Sequence, residues 1–245
     1  VDQNMASSAD RMAASAGFGA LAKADELKKR LWFTVGALII YRLGTYLPLP
    51  GIDPGALADI FSQQSSGILG MFDMFSGGAL GRMTIFALNI MPYITASIIM
   101  QLMTAIVPSL ESLKKDGEAG RKMINQYTRY LTVLLATVQG YGMAVGLEAA
   151  SGVVNDPGLF FRVTTVVTLV GGTLFLMWLG EQITSRGVGN GISLIIFAGI
   201  VANLPTALAG TLELGRTGAL SSFLIILLLA MAVAVVAFIV FIERS

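Results

Sequence analysis

The stretch FSGGALGRMTIFALNIMPYITASIIMQL, residues 75–102, opens on a glycine pair and an arginine and then becomes one of the most apolar runs of the chain, with Asn89 and Pro92 inside it. A helix in lipid has no water to satisfy a freed carbonyl, and proline both removes an N–H and clashes with the preceding turn. The run is expected to cross a membrane over 84–107, with Pro92 interrupting its hydrogen-bond ladder. That face should therefore look toward protein or a water-filled cavity. At helical spacing, Ile90, Ile94, Ser97 and Gln101 form one stripe, aliphatic at one end and polar at the other.

The rest of the chain supports the membrane reading. Of 245 residues, 55% are hydrophobic and 13% charged, and the mean hydropathy is +0.75. Soluble domains carry about 25% charged residues, roughly twice as many. Apolar runs of roughly 20 residues suffice for a hydrocarbon core of about 30 Å, and they place six spans at 31–48, 84–107, 124–147, 161–180, 191–209 and 219–242. The expected fold class is an all-α, multi-pass helical bundle. Residues 1–30 read as a tail ending in a basic amphipathic segment. The polar N-terminal stretch gives no expectation of a cleavable signal peptide.

Basic residues set the orientation. Arg11, Lys23, Lys28, Lys29 and Arg30 precede the first span, Lys114, Lys115, Arg121 and Lys122 follow the second, and Arg186 and Arg244 fall on the same side. Against them stand Arg82, Arg162 and Arg216, so the N-terminus is expected in the cytoplasm. Cysteine and histidine are absent, which excludes disulfides, the common zinc sites and a histidine-assisted serine nucleophile. No catalytic residue, metal ligand or cofactor is expected, and no pair of intramembrane carboxylates supports a proton relay.

Between the first two spans, GILGMFDMFSGGALG (67–81) is too short to cross and too apolar for an ordinary loop. Ile68, Phe72 and Phe75 share one face. The segment reads as re-entrant, against protein or a cavity, with an amphipathic helix on the outer leaflet as the alternative. The fifth span repeats the mixed stripe in the opposite direction: Ile192, Ile196, Gly199, Asn203. Two aliphatic pairs at i,i+4 suit a narrow, water-repelling constriction, and equally suit packing or lipid contact. Arg42 fits either a buried functional charge or a side chain reaching the outer interface. Arg129 and Glu181 read as structural polar contacts, and Gly142 and Gly146 as a close-packing pair. SRGVGNGIS (185–193) lacks the context of a phosphate loop and reads as a tight turn between spans.

TIFALNIMPYITASIIMQLM (84–103) and WLGEQITSRGVGNGISLIIFAGI (178–200) resemble the two signature stretches of the SecY family, the channel subunits of the Sec protein translocon. RLGTYLPLPGID (42–53), MFSGGALGR (74–82) and GRKMINQYTRY (120–130) are similar to it as well. The likeness runs from about residue 24 to Glu243. It implies ten spans in two inverted halves around an hourglass pore. Residues 31–209 would be the first half, and 210–245 a loop and the sixth span, so this chain alone should not conduct.

Carried over by position, the pore ring would be Ile90, Ile94, Ile192 and Ile196. The plug, at about 66–77, would include Ile68, Leu69, Met71, Phe72, Met74 and Phe75, and its hinge Gly77, Gly78 and Gly81. The resemblance implies no enzyme activity and no cofactor. It implies as partners the SecE and SecG subunits, the SecA motor ATPase or a ribosome, signal peptides, nascent or unfolded secretory chains, and the lipid of the plasma (inner) membrane. A small-solute transporter with broken helices is the alternative. One departure stands out: Asn89 occupies a position where the family usually has Gly, and a local change in packing or pore polarity is expected there.

Overall fold

The computed structural model describes residues 25–64, 68–150, 152–217 and 222–244. Most of the expected tail, the first plug residues (66–67) and the end of the last loop with the start of the expected sixth span (218–221) lie outside them, as do the side chains of Ile68, Leu69, Met71 and Phe72. The described residues form α1 (Asp25–Gly44), α2 (Pro54–Gln64), α3 (Ile68–Phe75), α4 (Met91–Ile106), α5 (Pro108–Lys115), α6 (Gly117–Ala149), α7 (Leu159–Arg186), α8 (Gly191–Ala202), α9 (Leu204–Arg216) and α10 (Ser222–Arg244). Among them only two isolated bridges, Pro48 to Thr84 and Ile52 to Val154, have β character.

Among the described residues, four stretches are long and apolar enough to cross a membrane: Gly117–Ala149, Leu159–Arg186, Gly191–Arg216 and Phe223–Glu243. The pair α4 and α5 makes a fifth if its 99° bend is counted within one span. Proline explains that bend. Val107, before Pro108, is driven to extended geometry (φ −96°, ψ 114°), which ends α4 and lets α5 start afresh. The expected first span is less complete than its sequence suggests. α1 starts inside the charged segment and ends at Gly44, so its apolar part from Leu31 rises about 21 Å, short of a hydrocarbon core.

The chain divides into two compact units, 1–200 and 201–245. In the first, α6 packs on α7, on α4 and on α5, while α1 packs on α7. In the second, α9 packs on α10. The α6–α7 contact uses Ala136 and Ala144, both fully buried, and Gly140, where a Cβ would touch Leu169 at 3.7 Å. The expected packing pair Gly142 and Gly146 faces elsewhere: a Cβ at either would meet nothing within 4 Å. The small residues that count lie two positions away along the chain, on nearly the opposite face of the helix.

Two ion pairs fasten this helix pair at opposite ends. Arg129 donates from Nε and Nη2 to the two carboxylate oxygens of Glu181, at 3.0 and 2.6 Å. Glu148 accepts from Arg162 Nε at 2.7 Å and from the Gly158 amide at 2.9 Å. The bidentate pair is a geometry in which charge-assisted bonds hold orientation as well as energy. Arg129→Glu is expected to lower the melting temperature in detergent by about 5 °C, the shift roughly 1–2 kcal/mol produces at this size. Adding Glu181→Arg should recover part of it; no loss in the single variant would dismiss the pair as a fastener.

The turn 185–193 carries Gly189 at φ +75°, as the sequence led one to expect. Asn190 Oδ1 then accepts from the amides of Ile192 (3.0 Å) and Ser193 (3.3 Å), capping the start of α8.

Candidate functional site

Residues 76–90 are not helical, and this is the main correction to the sequence reading. The expected span begins only at Met91. Pro92 does not interrupt a helix; it sits in the first turn of α4, where its missing N–H costs nothing and its fixed φ suits the start. Ile90 is therefore the residue capping α4 and not part of its stripe, although Ile94, Ser97 and Gln101 remain on the helix. Gln101 Nε2 donates to Ser97 Oγ at 3.4 Å.

The succession of turns that feeds α4 is pinned by backbone pairs. Leu49 N donates to Met83 O at 2.9 Å, and Ile85 N to Leu47 O at 3.0 Å. The run contains two non-glycine residues with left-handed backbone, Met83 (φ +43°) and Asn89 (φ +48°). After glycine, asparagine is the residue that visits this region most readily. That accounts for Asn89 physically: the chain must turn left-handed immediately before α4, and Gly and Asn are the two residues suited to it.

All four ring candidates belong to one hydrophobic cluster. Ile90 is fully buried, and Ile94, Ile192 and Ile196 pack partly buried against Tyr41, Phe86, Leu176, Leu179, Ile183 and Ile195. The cluster draws on α1, the 76–90 run, α4, α7 and α8. Its aromatic members continue outward, with Phe86 stacked on Tyr41 (6.3 Å between centroids) and on Phe175 (5.8 Å).

The end of α3 lies against this cluster. Gly77 (φ +68°) and Gly78 (φ +80°) turn the chain left-handed directly after Phe75, a conformation that favours glycine. The third expected hinge residue, Gly81, does not have this geometry. Its amide donates to Asp73 Oδ1 at 2.6 Å, and a Cβ would come within 3.0 Å of that carboxylate; close approach is its requirement. Three consecutive carbonyls leaving α3 are held from outside it. Asn89 Nδ2 donates to Phe75 O at 2.9 Å, and Tyr41 Oη to Ser76 O at 3.4 Å. Gly77 O accepts from Arg42 Nη1 at 2.8 Å and from Arg82 Nη2 at 3.1 Å. Both guanidinium groups also lie over the Tyr46 ring, at 5.2 and 4.4 Å. Arg42, left open between two readings by the sequence, is thus tied to the α3 exit.

Sequence reasoning found Arg42 but missed Tyr41, Arg82 and the role of the Asn89 amide. Only the motif asparagine, two residues, proline could have signalled a helix start there. Beyond the cluster, a cavity of about 420 Å³ runs between α4 and α6, lined by Ser97, Gln101, Thr104, Asn125 and Thr128 with Lys114 and Arg121 at one end. Met74 and Phe75 on α3 are exposed in the chain as described.

The family model described as SecY matches residues 84–245. The protein translocase subunit SecY of Buchnera aphidicola subsp. Acyrthosiphon kondoi is 57% identical over 223 residues, covering 90% of this chain and 63% of that one. Its counterpart in Escherichia coli (strain K12) is 58% identical over 224 residues, covering 90% and 50%. The chain thus spans about half to two thirds of the length of these relatives. Among solved structures, one described as a protein conducting channel aligns with a TM-score of 0.53 at 19% identity, covering 77% of this chain and 38% of that one. Sec61 in a canine ribosome-channel complex aligns with the same values. The structures support the fold, and the matched family model with these sequence relatives places the chain in the SecY family.

Proposed function

We propose that this chain forms the first half, with the sixth span, of a protein-conducting channel that moves unfolded secretory chains across the plasma membrane and releases signal sequences into lipid. The observation that carries the proposal is the gathering of Ile90, Ile94, Ile192 and Ile196 in one cluster on which the exit of α3 rests. In this reading the isoleucines are the pore ring and α3, with Met74 and Phe75 at its end, is the plug. Gly77 and Gly78 form its hinge, and Gly81, tied to Asp73, closes the turn behind it.

Aliphatic side chains suit such a waist. They bind neither ions nor particular substrate residues, and a dry constriction resists leakage. The protein would be a passive conductor and not an enzyme. Energy would come from SecA or a translating ribosome, with SecE and SecG as companion subunits and the N-terminus in the cytoplasm. The basic residues Lys114 and Arg121 at the end of the α4–α6 cavity would then lie on the cytoplasmic side. A small-solute carrier would need polar groups where the isoleucines stand.

The test uses the absence of cysteine from this chain. In the full-length channel, with any cysteine elsewhere replaced, cysteine is placed at Ile94 and a secretory chain carrying one cysteine is stalled midway. A disulfide is expected at Ile94 and at Ile196 but not at the exposed position Phe160 on α7. Equal capture at all three positions, or none at the isoleucines, sinks the pore reading.

A further inference from the structure

We infer that Asn89 is a positioning residue for the plug: its side-chain amide latches the last carbonyl of α3 and so sets how readily the resting channel opens. The inference rests on the channel reading above and adds to it a residue that acts through α3.

Asn89 is 4% exposed and belongs to the turn before α4. Its Nδ2 lies 2.9 Å from Phe75 O. A carbonyl can only accept, so the amide nitrogen is the atom that must face it. The backbone at φ +48° would accept Gly as well as Asn. Of the two, only Asn brings a donor, so the backbone alone does not require the side chain. Packing on this side is incomplete. A cavity of about 460 Å³ borders Asn89, Ser76, Leu80 and Met91, so the α3 exit is held here by a hydrogen bond more than by close contact. The partner elements 75 and 89 lie on either side of the two left-handed glycines. Swinging α3 about that turn must therefore break this bond, together with the Gly81–Asp73 bond that also flanks the glycines, whereas the Asp73–Ser76 bond moves with α3.

The titratable and charged groups around the exit are Tyr41 and Arg42 from α1, Asp73 on α3 and Arg82 in the turn. They are the same in every variant below, which makes a pH comparison between variants interpretable.

The experiment measures resting potassium chloride conductance of the full-length channel with its companion subunits in planar bilayers. Asn89→Gly keeps the backbone and removes the donor, and resting conductance should rise about fivefold, the factor one lost hydrogen bond yields. Asn89→Asp is isosteric but sets acceptor against acceptor, and should leak at least as much at neutral pH. As pH falls, its protonated carboxyl regains a donor, so its leak should return toward that of the parent while the Gly variant stays high. Recovery of folded protein should match the parent in both. A Gly variant as tight as the parent, or an Asp variant whose leak ignores pH, overturns the latch. If the parent's Ile94 cysteine captures the stalled chain and the Asn89 variants stay tight, the latch alone is lost; if the parent captures nothing, the pore reading falls and the latch with it.

Discussion

Gly199→Val is expected to hold the resting channel ajar, raising its small-ion conductance tenfold or more. Gly199 on α8 lies against the α3 exit. A Cβ there would sit 2.7 Å from the Phe75 carbonyl oxygen, 3.1 Å from Tyr41 Oη and 3.4 Å from the Gly77 amide. The first of these is backbone, which cannot rotate away as a side chain can. Overpacking by one branched side chain costs about 1–3 kcal/mol where nothing yields. Here something can yield, because two left-handed glycines follow α3 and let it lift from its seat. The strain should therefore appear as displacement of α3 and not as loss of the fold. Conductance in bilayers reads this directly, and folded recovery should stay near that of the parent. The matched control is Gly142→Val on α6, where a Cβ meets nothing within 4 Å. If Gly199→Val seals as well as that control, the seat assigned to α8 is wrong.

Gly172→Val should instead lose the folded protein. A Cβ on Gly172 would overlap the Ile85 carbonyl oxygen and approach Phe86 Cδ1 at 3.2 Å. Ile85 is fixed in turn, its amide paired to Leu47 O at 3.0 Å, and Phe86 is buried between Tyr41 and Phe175. No glycine hinge lies nearby to absorb the shift, so α7 must leave the 76–90 run. That opens the hydrophobic cluster, an effect of at least 3 kcal/mol on the scale of core disruption. Gly171 is one residue away, and a Cβ there meets nothing within 4 Å. Gly171→Val should differ little from the parent in detergent melting and in membrane abundance. A pair of variants behaving alike would show that α7 does not rest on residue 85.

These two glycines also show what the sequence could and could not convey. The apolar runs of α6, α7 and α10 were legible because a bilayer demands about 20 apolar residues and composition alone satisfies that test. The short apolar helix at 68–75 was legible for the complementary reason, being too short to cross. The expected ring residues do share one cluster, but the start of α4 was misjudged. Pro92 reads as a helix breaker when the flanking residues are all apolar. Its first-turn position depends on the left-handed Asn89, and that depends on the pairs Leu49–Met83 and Leu47–Ile85. Such pairs join segments more than thirty residues apart, beyond the reach of local periodicity. The same holds for Gly171 and Gly172, adjacent and identical in type, of which one touches a backbone and the other touches nothing. Likewise the sequence offered Gly142 and Gly146 at the favoured spacing, while the helix contact fell on Gly140, Ala136 and Ala144.

The four bonds that Asn89, Tyr41, Arg42 and Arg82 make to the α3 exit all end on three main-chain oxygens, those of Phe75, Ser76 and Gly77. Every residue type carries that oxygen in the same place. These four bonds therefore do not read the side chains of α3, which, Asp73 with its bond from the Gly81 amide apart, leaves its amino-acid identities free to drift over evolutionary time while the grip persists. The constraint is transferred to the surrounding donors and to the length of the segment, since one residue added or removed would shift all three acceptors at once. Variation among descendants of this sequence should accordingly show as substitutions at 68–72 and 74 and almost never as insertions or deletions there.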